Sequence, residues 1–345
     1  MIPHIDIGPL FGVAGSKRDQ TDEAIYEAAS GVGFMTVQGT PFGTELGRER
    51  RQSLLRLFSL PPHAQRALWK RNFEPNNPNL YRGWFPLESG QTRCREGFEL
   101  GPDVTRPLSS KDPDDVLYQP SVFPQEDRMP HWRAHAASFY ESAEKIGFAI
   151  LASLSRQLGI PESLFRNAFR DGISTLRLLR YPARDTKRAH SPELQAAFRS
   201  SGGTTYEIVT GPHFDTGLLT LLAGYGVPGL QAYTDSKNWI DVPLGDDDFA
   251  VNFGGLLSRW TNKRIRATLH RVLSSGEERF SIPFFFEPRP DTRIAPLPMP
   301  NASPFRPFLF GDHLWATTTQ FPENLGLTHL RAPRGDYQDP WAEKS

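Results

Sequence analysis

The sequence predicts a mainly β protein with flanking helices. From Ser174 onward, short apolar runs alternate with turn residues at the spacing typical of a sandwich or barrel. After Pro130 comes the clearest helical pattern of the chain, with apolar residues recurring at three- and four-residue steps. Together these two patterns favour a β core against which scaffold helices pack.

Individual elements follow from the same patterns. In the first part of the chain we expect a strand near Ile5, a helix from about Asp22 into Ala29, a strand over Gly33–Val37 and an irregular segment over Phe73–Gly90. The helix after Pro130 should end at Gly159, and its apolar face is formed by Phe139, Ala143, Ile146, Ile150 and Leu154. The strands expected in the second part are Leu176–Tyr181, Gly229–Tyr233, Trp239–Val242, Phe249–Phe253 and Thr268–Leu273.

Composition excludes several classes of protein. Lys plus Arg and Asp plus Glu both number 39, so no net charge draws the chain toward nucleic acid or an anionic membrane. The longest apolar stretches, such as Leu218–Ala223, are too short to span a bilayer, and Met1–Asp6 lacks the layout of a signal peptide. The single cysteine, Cys94, excludes intrachain disulfides and is expected to be an ordinary thiol. We therefore expect a soluble, cytoplasmic, monomeric enzyme whose metal ligands are His and carboxylate.

A candidate metal site is formed by His213, Asp215 and His270. On a strand, positions 213 and 215 point the same way, so both side chains can reach one ion, and His270 brings a third ligand from another strand-like stretch. Two imidazoles and one carboxylate on one face of a metal leave the other face open, which is the signature of non-haem Fe(II) oxygenases. A second His-x-Asp, at His4–Asp6, has no comparable downstream His, and we interpret it as structural.

The run Arg279–Glu287 predicts a strand with two different faces. Phe280, Ile282, Phe284 and Phe286 share an apolar face, whereas Arg279, Ser281 and Phe285 share the other. A guanidinium directed into a barrel interior is costly unless an anion meets it. A bidentate carboxylate contact together with the Ser281 hydroxyl would satisfy it.

On these residues the chain resembles the 2-oxoglutarate-dependent oxygenase superfamily, in the branch that includes isopenicillin N synthase. The resemblance is densest from Leu176 to Pro298; its motifs are His213–Thr220, Gly229–Gln231, Val251–Gly254, Thr268–Val272 and Glu278–Phe285. It implies a double-stranded β-helix (jelly-roll) core, Fe(II) bound by His213, Asp215 and His270, and O2 as oxidant. It also implies that Arg279 and Ser281 hold the distal carboxylate of 2-oxoglutarate, and Tyr181 matches a position that often contacts the co-substrate or substrate.

The resemblance also suggests an organisation in one structural unit. Residues 1–170 would form a mixed, largely helical region packed on the core, 171–298 the jelly-roll oxygenase core and 299–345 a C-terminal tail. Three positions depart from the family pattern: Leu179 replaces a common Asn, Gly255 replaces a common Asp, and the usual His-Gly is absent near Gly39–Thr40. The first departure bears on the geometry of 2-oxoglutarate binding rather than on the metal.

The expected function is Fe(II)- and 2-oxoglutarate-dependent oxidation of a small molecule, with release of succinate and CO2. Hydroxylation is the default outcome, and desaturation or cyclisation uses the same chemistry. Three alternatives remain open at this point: an isopenicillin N synthase-like oxidase that uses no 2-oxoglutarate, a zinc-dependent hydrolase with the same ligands, and a non-catalytic jelly-roll binding protein.

The substrate is not determined by these residues. The candidates for its pocket are Arg177 and Phe285, with the segment Tyr81–Phe98 and the tail around Phe310–Trp315 as possible walls. Arg177 and its counterparts Arg93 and Arg95 can meet an acidic substrate, but for the last two we favour a solvated surface position.

Overall fold

The computed structural model describes residues 1–87, 95–108, 114–185, 198–201 and 204–339. The expectations for Arg93 and Cys94 therefore lie outside the described residues. The strands are β1 His4–Asp6, β2 Phe34–Gln38, β3 Gly83–Phe85, β4 Glu96–Leu100, β5 Thr175–Tyr181, β6 Phe198–Ser201, β7 Thr204–His213, β8 Leu219–Tyr225, β9 Leu230–Tyr233, β10 Trp239–Asp241, β11 Phe249–Phe253, β12 His270–Ser274, β13 Arg279–Phe286, β14 Arg293–Ile294 and β15 Phe308–Leu309. The α-helices are α1 Ser16–Ser30, α2 Gly43–Leu46, α3 Arg48–Leu55, α4 Pro62–Arg66, α5 Trp132–Leu158, α6 Glu162–Phe169, α7 Gly255–Trp260 and α8 Phe310–Thr318.

Thirteen of these strands form the two sheets of a jelly roll, as expected, and β14 pairs separately with β15. The larger sheet has eight strands in the order β1-β2-β11-β8-β13-β5-β4-β3, and the smaller has five in the order β10-β9-β12-β7-β6. Side chains from both sheets meet in one apolar cluster that includes Leu179, Val209, Leu230 and Val272. The interior of the sandwich is therefore lined by alternate residues of each strand.

Strand β13 has the two faces that its sequence predicts. Ile282, Phe284 and Phe286 are fully buried on the outer face, where Tyr140 of α5 packs edge-on against Phe284 at 4.9 Å between ring centroids. Arg279, Ser281 and Phe285 face the interior of the sandwich, where they line a cavity. The long helix α5 thus covers the outside of the sheet and leaves the inner face free for chemistry. It ends at Leu158, and Gly159, where the sequence predicts a stop, caps it with a left-handed φ of 67°.

The N-terminal region is more closely joined to the core than its helical pattern suggests. It contributes β1 to β4 to the larger sheet, with β2 beside β11 and β4 beside β5. The segment expected to be irregular, Phe73–Gly90, includes the short strand β3. Within the described residues, no helix is both long and apolar enough to cross a membrane.

Candidate active site

The three candidate ligands converge at one end of the smaller sheet. His213 ends β7 and His270 begins β12, and the two residues are antiparallel partners with ring centroids 4.1 Å apart. Oδ1 of Asp215 lies 3.8 Å from Nε2 of His213 and 3.6 Å from Nε2 of His270. One ligand atom from each residue falls within 4.8 Å of the other two, a spacing that a single metal ion can bridge.

Asp215 lies in a different secondary-structure element from the one that the sequence predicts. The expectation that positions 213 and 215 lie on one strand is wrong, because β7 ends at His213 and Asp215 lies in the loop that follows. Its orientation comes from two donors: Oδ2 accepts hydrogen bonds from Thr220 Oγ1 at 2.6 Å and Asn252 Nδ2 at 2.7 Å. These bonds leave Oδ1 directed at the imidazoles.

Both imidazoles are oriented by backbone carbonyls. Nδ1 of His213 bonds to the carbonyl oxygen of Gly211 at 2.9 Å, and Nδ1 of His270 bonds to that of Thr268 at 3.0 Å. A carbonyl oxygen only accepts, so each Nδ1 carries the proton and each Nε2 keeps a free lone pair. This is the usual arrangement of a metal-binding His.

The protonation states suit a cation. Burial, reinforced by the neighbouring His270, lowers the pKa of His213, so its imidazole is neutral at pH 7. Burial alone would raise the pKa of Asp215, but the two imidazoles and the two hydrogen bonds outweigh it and lower that pKa. His213 and Asp215 are thus in the form that binds a metal without losing a proton first.

Arg279 lies in the same cavity as the three ligands, together with Ser281 and Tyr181. The residue is 3% exposed, and its Nε and Nη1 have no hydrogen-bond partner. Its guanidinium lies 5.1 Å from the ring centroid of Tyr181, which is its partner across β13 and β5. Burial lowers the pKa of Arg279, although a guanidinium remains charged at neutral pH. A buried cation with two unused donors calls for an anion.

A second cavity, of about 300 Å³, opens beside the ligands and is lined by His213, Asp215, Arg177 and Phe285. Both expected pocket residues are therefore in its wall. The guanidinium of Arg177 is fully engaged, however: Nε donates to Glu99 at 2.8 Å, and Nη1 lies 2.9 Å from a carboxylate oxygen of Glu323.

Two other expectations for the cavity wall have different outcomes. For Arg95, the favoured solvated surface position is wrong, because the side chain is only partly exposed, lines both cavities and donates to Thr210 Oγ1 at 2.9 Å. From the tail around Phe310–Trp315, Leu314 of α8 reaches the wall.

Several residues of the site were missed by reasoning from sequence. Thr220 and Asn252, which orient Asp215, lie inside the recognised motifs, but their spacing carries no sign of their role. Glu99 and Glu323 were missed because their partner Arg177 is remote in sequence. Glu287 could have been found as the acidic residue that ends the apolar run of β13.

Comparison with known proteins identifies the family of the chain. Residues 175–288 match the profile of the 2OG-Fe(II) oxygenase superfamily, and residues 2–126 match that of the N-terminal region of non-haem dioxygenases in morphine synthesis. The chain belongs to the 2-oxoglutarate–Fe(II) oxygenase superfamily. It is a non-haem iron, 2-oxoglutarate-dependent dioxygenase, and its cofactor and co-substrates are Fe(II), 2-oxoglutarate and O2.

Relatives and solved structures extend over most of the chain. A 2-oxoglutarate-dependent dioxygenase of Penicillium crustosum is 29% identical over 83% of this chain and 84% of its own length. Isopenicillin N synthase of Streptomyces clavuligerus is 26% identical over 88% of this chain and 89% of its own length. The fold is that of a Neurospora crassa protein solved in complex with α-ketoglutarate and thymine, which is 21% identical with a TM-score of 0.76, covering 93% of this chain and 97% of that one.

Proposed function

We propose that His213, Asp215 and His270 hold the ferrous ion, and that Arg279, with Ser281 and Tyr181, holds the distal carboxylate of 2-oxoglutarate. The cavity beside them then takes a small organic substrate, which is oxidised with release of succinate and CO2, hydroxylation being the default outcome. The observation that carries this proposal is Arg279: two unused donors of a buried cation face the cavity that also contains the three metal-ligand candidates.

The donor set fits iron. Two neutral imidazole nitrogens and one carboxylate oxygen suit a non-haem Fe(II) centre that keeps open positions for co-substrates. The three candidate ligands His213, Asp215 and His270 provide these donor types. Their orientation is fixed by hydrogen bonds, from Asn252 and Thr220 to the carboxylate and from both imidazole rings to backbone carbonyls.

The second anchor fits a dicarboxylate. A guanidinium fork can bind one carboxylate in a bidentate manner, and Ser281, two residues further along the inner face of β13, can add a hydroxyl donor. Leu179, where the family commonly has Asn, pairs with Ser281 across the strands and adds only an apolar wall. Binding of the carboxylate therefore depends more strongly on Arg279 here than it would in a site with an additional amide donor.

The protein's contribution is positional. When bound, the iron with 2-oxoglutarate and O2 supplies the oxidising power that breaks a substrate C–H bond. Arg279 orients the co-substrate, and the three ligands hold the metal on one side only. Leu222, Leu230 and Val272 line the same cavity with apolar surface and exclude water from the reacting centre.

The test is substrate-stimulated succinate formation. Purified enzyme with Fe(II), ascorbate and 2-oxoglutarate is screened against small organic compounds, with succinate and O2 consumption measured together. We expect both to rise in equal amounts with a true substrate, and Arg279→Met to abolish succinate release while metal binding persists. O2 consumption without succinate would instead support an isopenicillin N synthase-like oxidase, in which Arg279 grips the substrate's own carboxylate.

Two controls address the remaining alternatives. Turnover that continues without O2 would point to a zinc hydrolase. Unchanged ligand binding by a His270→Ala variant would point to a binding protein that only retains a metal. A monomeric state and a cytoplasmic location stay predictions, and sedimentation and cell fractionation test them.

A further inference from the structure

Glu287 places a carboxyl group in the wall of the substrate cavity. The residue directly follows β13, is 7% exposed, and lines the same cavity as His213 and Asp215. Its backbone amide donates to Ser174 Oγ at 3.1 Å, which anchors the main chain and leaves the side chain free. The carboxyl also lies against Gly217, in the loop that carries Asp215: a Cβ on Gly217 would be 3.3 Å from Oε1 of Glu287.

Within the described part of the chain, nothing hydrogen-bonds to this carboxyl. The neighbouring guanidinium of Arg177 is taken by Glu99 and Glu323. That of Arg82 donates to Thr175 Oγ1 and to the carbonyl of Ile173, each at 3.1 Å. Burial raises the pKa of Glu287 to about 8, and these two cations only partly oppose that rise. A buried acid without a donor is costly, so its retention points to a ligand.

Except for Arg95, the other charged groups of the cavity wall already have partners within the chain. Lys70 and Arg177 share the carboxylate of Glu99, and Arg177 also pairs with Glu323, so this cluster contains two cations and two anions. Arg95 lies toward Thr210 and influences His213, on the side of the cavity formed by β7. Glu287 is thus the carboxyl in the described wall that is left for the substrate to pair with.

We propose that Glu287 binds a cationic nitrogen of the substrate, so that this enzyme oxidises an amine-bearing small molecule. The inference rests on the proposed function, because the cavity must be the substrate site. An ammonium group can donate to this buried carboxyl and stabilise its ionised form, which burial otherwise disfavours, whereas a neutral carbonyl compound offers neither a donor nor a positive charge. The apolar part of the wall, formed by Leu218, Phe285, Leu314 and Phe321, accepts the carbon skeleton of such an amine.

The experiment uses a panel of small amines and amino acids, each matched with its N-acetyl derivative. Binding is measured by calorimetry on anaerobic enzyme loaded with Fe(II) and 2-oxoglutarate, and succinate release is measured in air. The proteins are the parent, Glu287→Gln, Glu287→Asp and the control Glu141→Gln, whose side chain is exposed on α5.

We expect at least one amine to bind the parent and to stimulate succinate release, while its N-acetyl partner does neither. Glu287→Gln should weaken that amine roughly 30-fold or more, because one partner of a buried charge pair is lost. Glu287→Asp should keep part of the affinity, because it keeps the charge, and Glu141→Gln should match the parent. All four proteins should bind 2-oxoglutarate equally.

Three results would overturn the inference: no amine binding more tightly than its N-acetyl partner, equal binding by Glu287→Gln, or equal losses in Glu287→Gln and Glu141→Gln. In each of these cases 2-oxoglutarate binding to the parent would remain intact. Failure of the parent itself to bind or consume 2-oxoglutarate would instead refute the proposed function, and the inference with it.

Discussion

Asp215 lies outside regular secondary structure, and its position depends on two neighbours. Thr220 and Asn252 both donate to Oδ2, so the other oxygen is held toward His213 and His270. Hydrogen-bond partners of this kind fix the geometry of a ligand and also lower the cost of keeping it charged in a buried site. The proposed metal site therefore depends on five side chains, not three.

We expect Asn252→Ala to weaken Fe(II) binding by about 10- to 100-fold, because Asp215 loses one of the two bonds that orient it. Anaerobic Fe(II) or Co(II) titration followed by absorbance or calorimetry measures this effect. Asn238→Ala, at an exposed turn, is the matched control and should bind metal like the parent. Equal affinity of the two variants would exclude a positioning role for Asn252.

Glu287 should make the stability of the metal-free enzyme depend on pH. Its pKa in the folded state is raised from 4.5 to about 8, so the folded chain binds more protons than the unfolded chain between these values. Stability contributed by the neutral acid is fully present below pH 4.5 and is lost as the pH rises toward 8.

Glu287→Gln removes this titration. We expect the variant and the parent to have similar free energies of unfolding near pH 4.5, and the variant to be more stable by on the order of 2 kcal/mol at pH 8. The gain is smaller than the full electrostatic effect, since the Gln amide is also buried. Urea unfolding across this pH range measures it. A constant difference between the two proteins at every pH would contradict the assignment of the titration to Glu287.

At the scale of elements, a buried ionic cluster joins four separate parts of the chain. Arg177 on β5 pairs with Glu99 on β4 and with Glu323 near the C-terminus, while Lys70 pairs with Glu99 and donates to Asn324 at 3.0 Å. Burial lowers the pKa of Lys70, and Glu99 has its pKa lowered to about 2 because the two cations outweigh its burial. The cluster thereby fixes the C-terminal segment against the cavity wall.

We expect Arg177→Met to lower the free energy of unfolding by about 3–5 kcal/mol, because two carboxylates remain buried without their shared partner. Urea denaturation measures the loss. Arg166→Met is the matched control: the Arg166 side chain is 61% exposed and pairs with Glu162 on the surface, so its loss should cost at most about 1 kcal/mol. Similar losses in both variants would show that burial does not strengthen the cluster.

At the scale of the molecule, ligand binding and folding are linked. The three proposed metal ligands come from two strands and a loop, and Arg279, the proposed anchor of 2-oxoglutarate, comes from a strand of the other sheet. We therefore expect Fe(II) and 2-oxoglutarate to bind the assembled sandwich and not the unfolded chain. A ligand that binds only the folded state stabilises it by about 2.7 kcal/mol at a concentration 100 times Kd.

Thermal unfolding should therefore show two separate increments, of the order of 5 °C each, on addition of Fe(II) and then of 2-oxoglutarate. Arg279→Met should retain the first increment and lose the second, whereas His270→Ala should lose the first. An undiminished 2-oxoglutarate increment in Arg279→Met would remove that residue from the site.

Much of the fold followed from local patterns. The strands predicted at Leu176–Tyr181 and Phe249–Phe253, the helix stop predicted at Gly159 and the two predicted faces of β13 are all present in the structure, because side-chain periodicity depends only on neighbours in sequence. The sequence did not predict that the N-terminal strands join the larger sheet, because strand pairing depends on partners that are remote in sequence.

The sequence by itself determined the family of this protein and the residue types of its proposed site: the candidate ligands at 213, 215 and 270 and the cation at 279. Tertiary structure alone decided which charges remain available. Arg177 is neutralised by Glu99 and Glu323, whereas Glu287 faces the cavity without a partner. The reason is physical: a residue's identity fixes the charge it can carry, but burial and long-range contacts fix whether that charge is already satisfied.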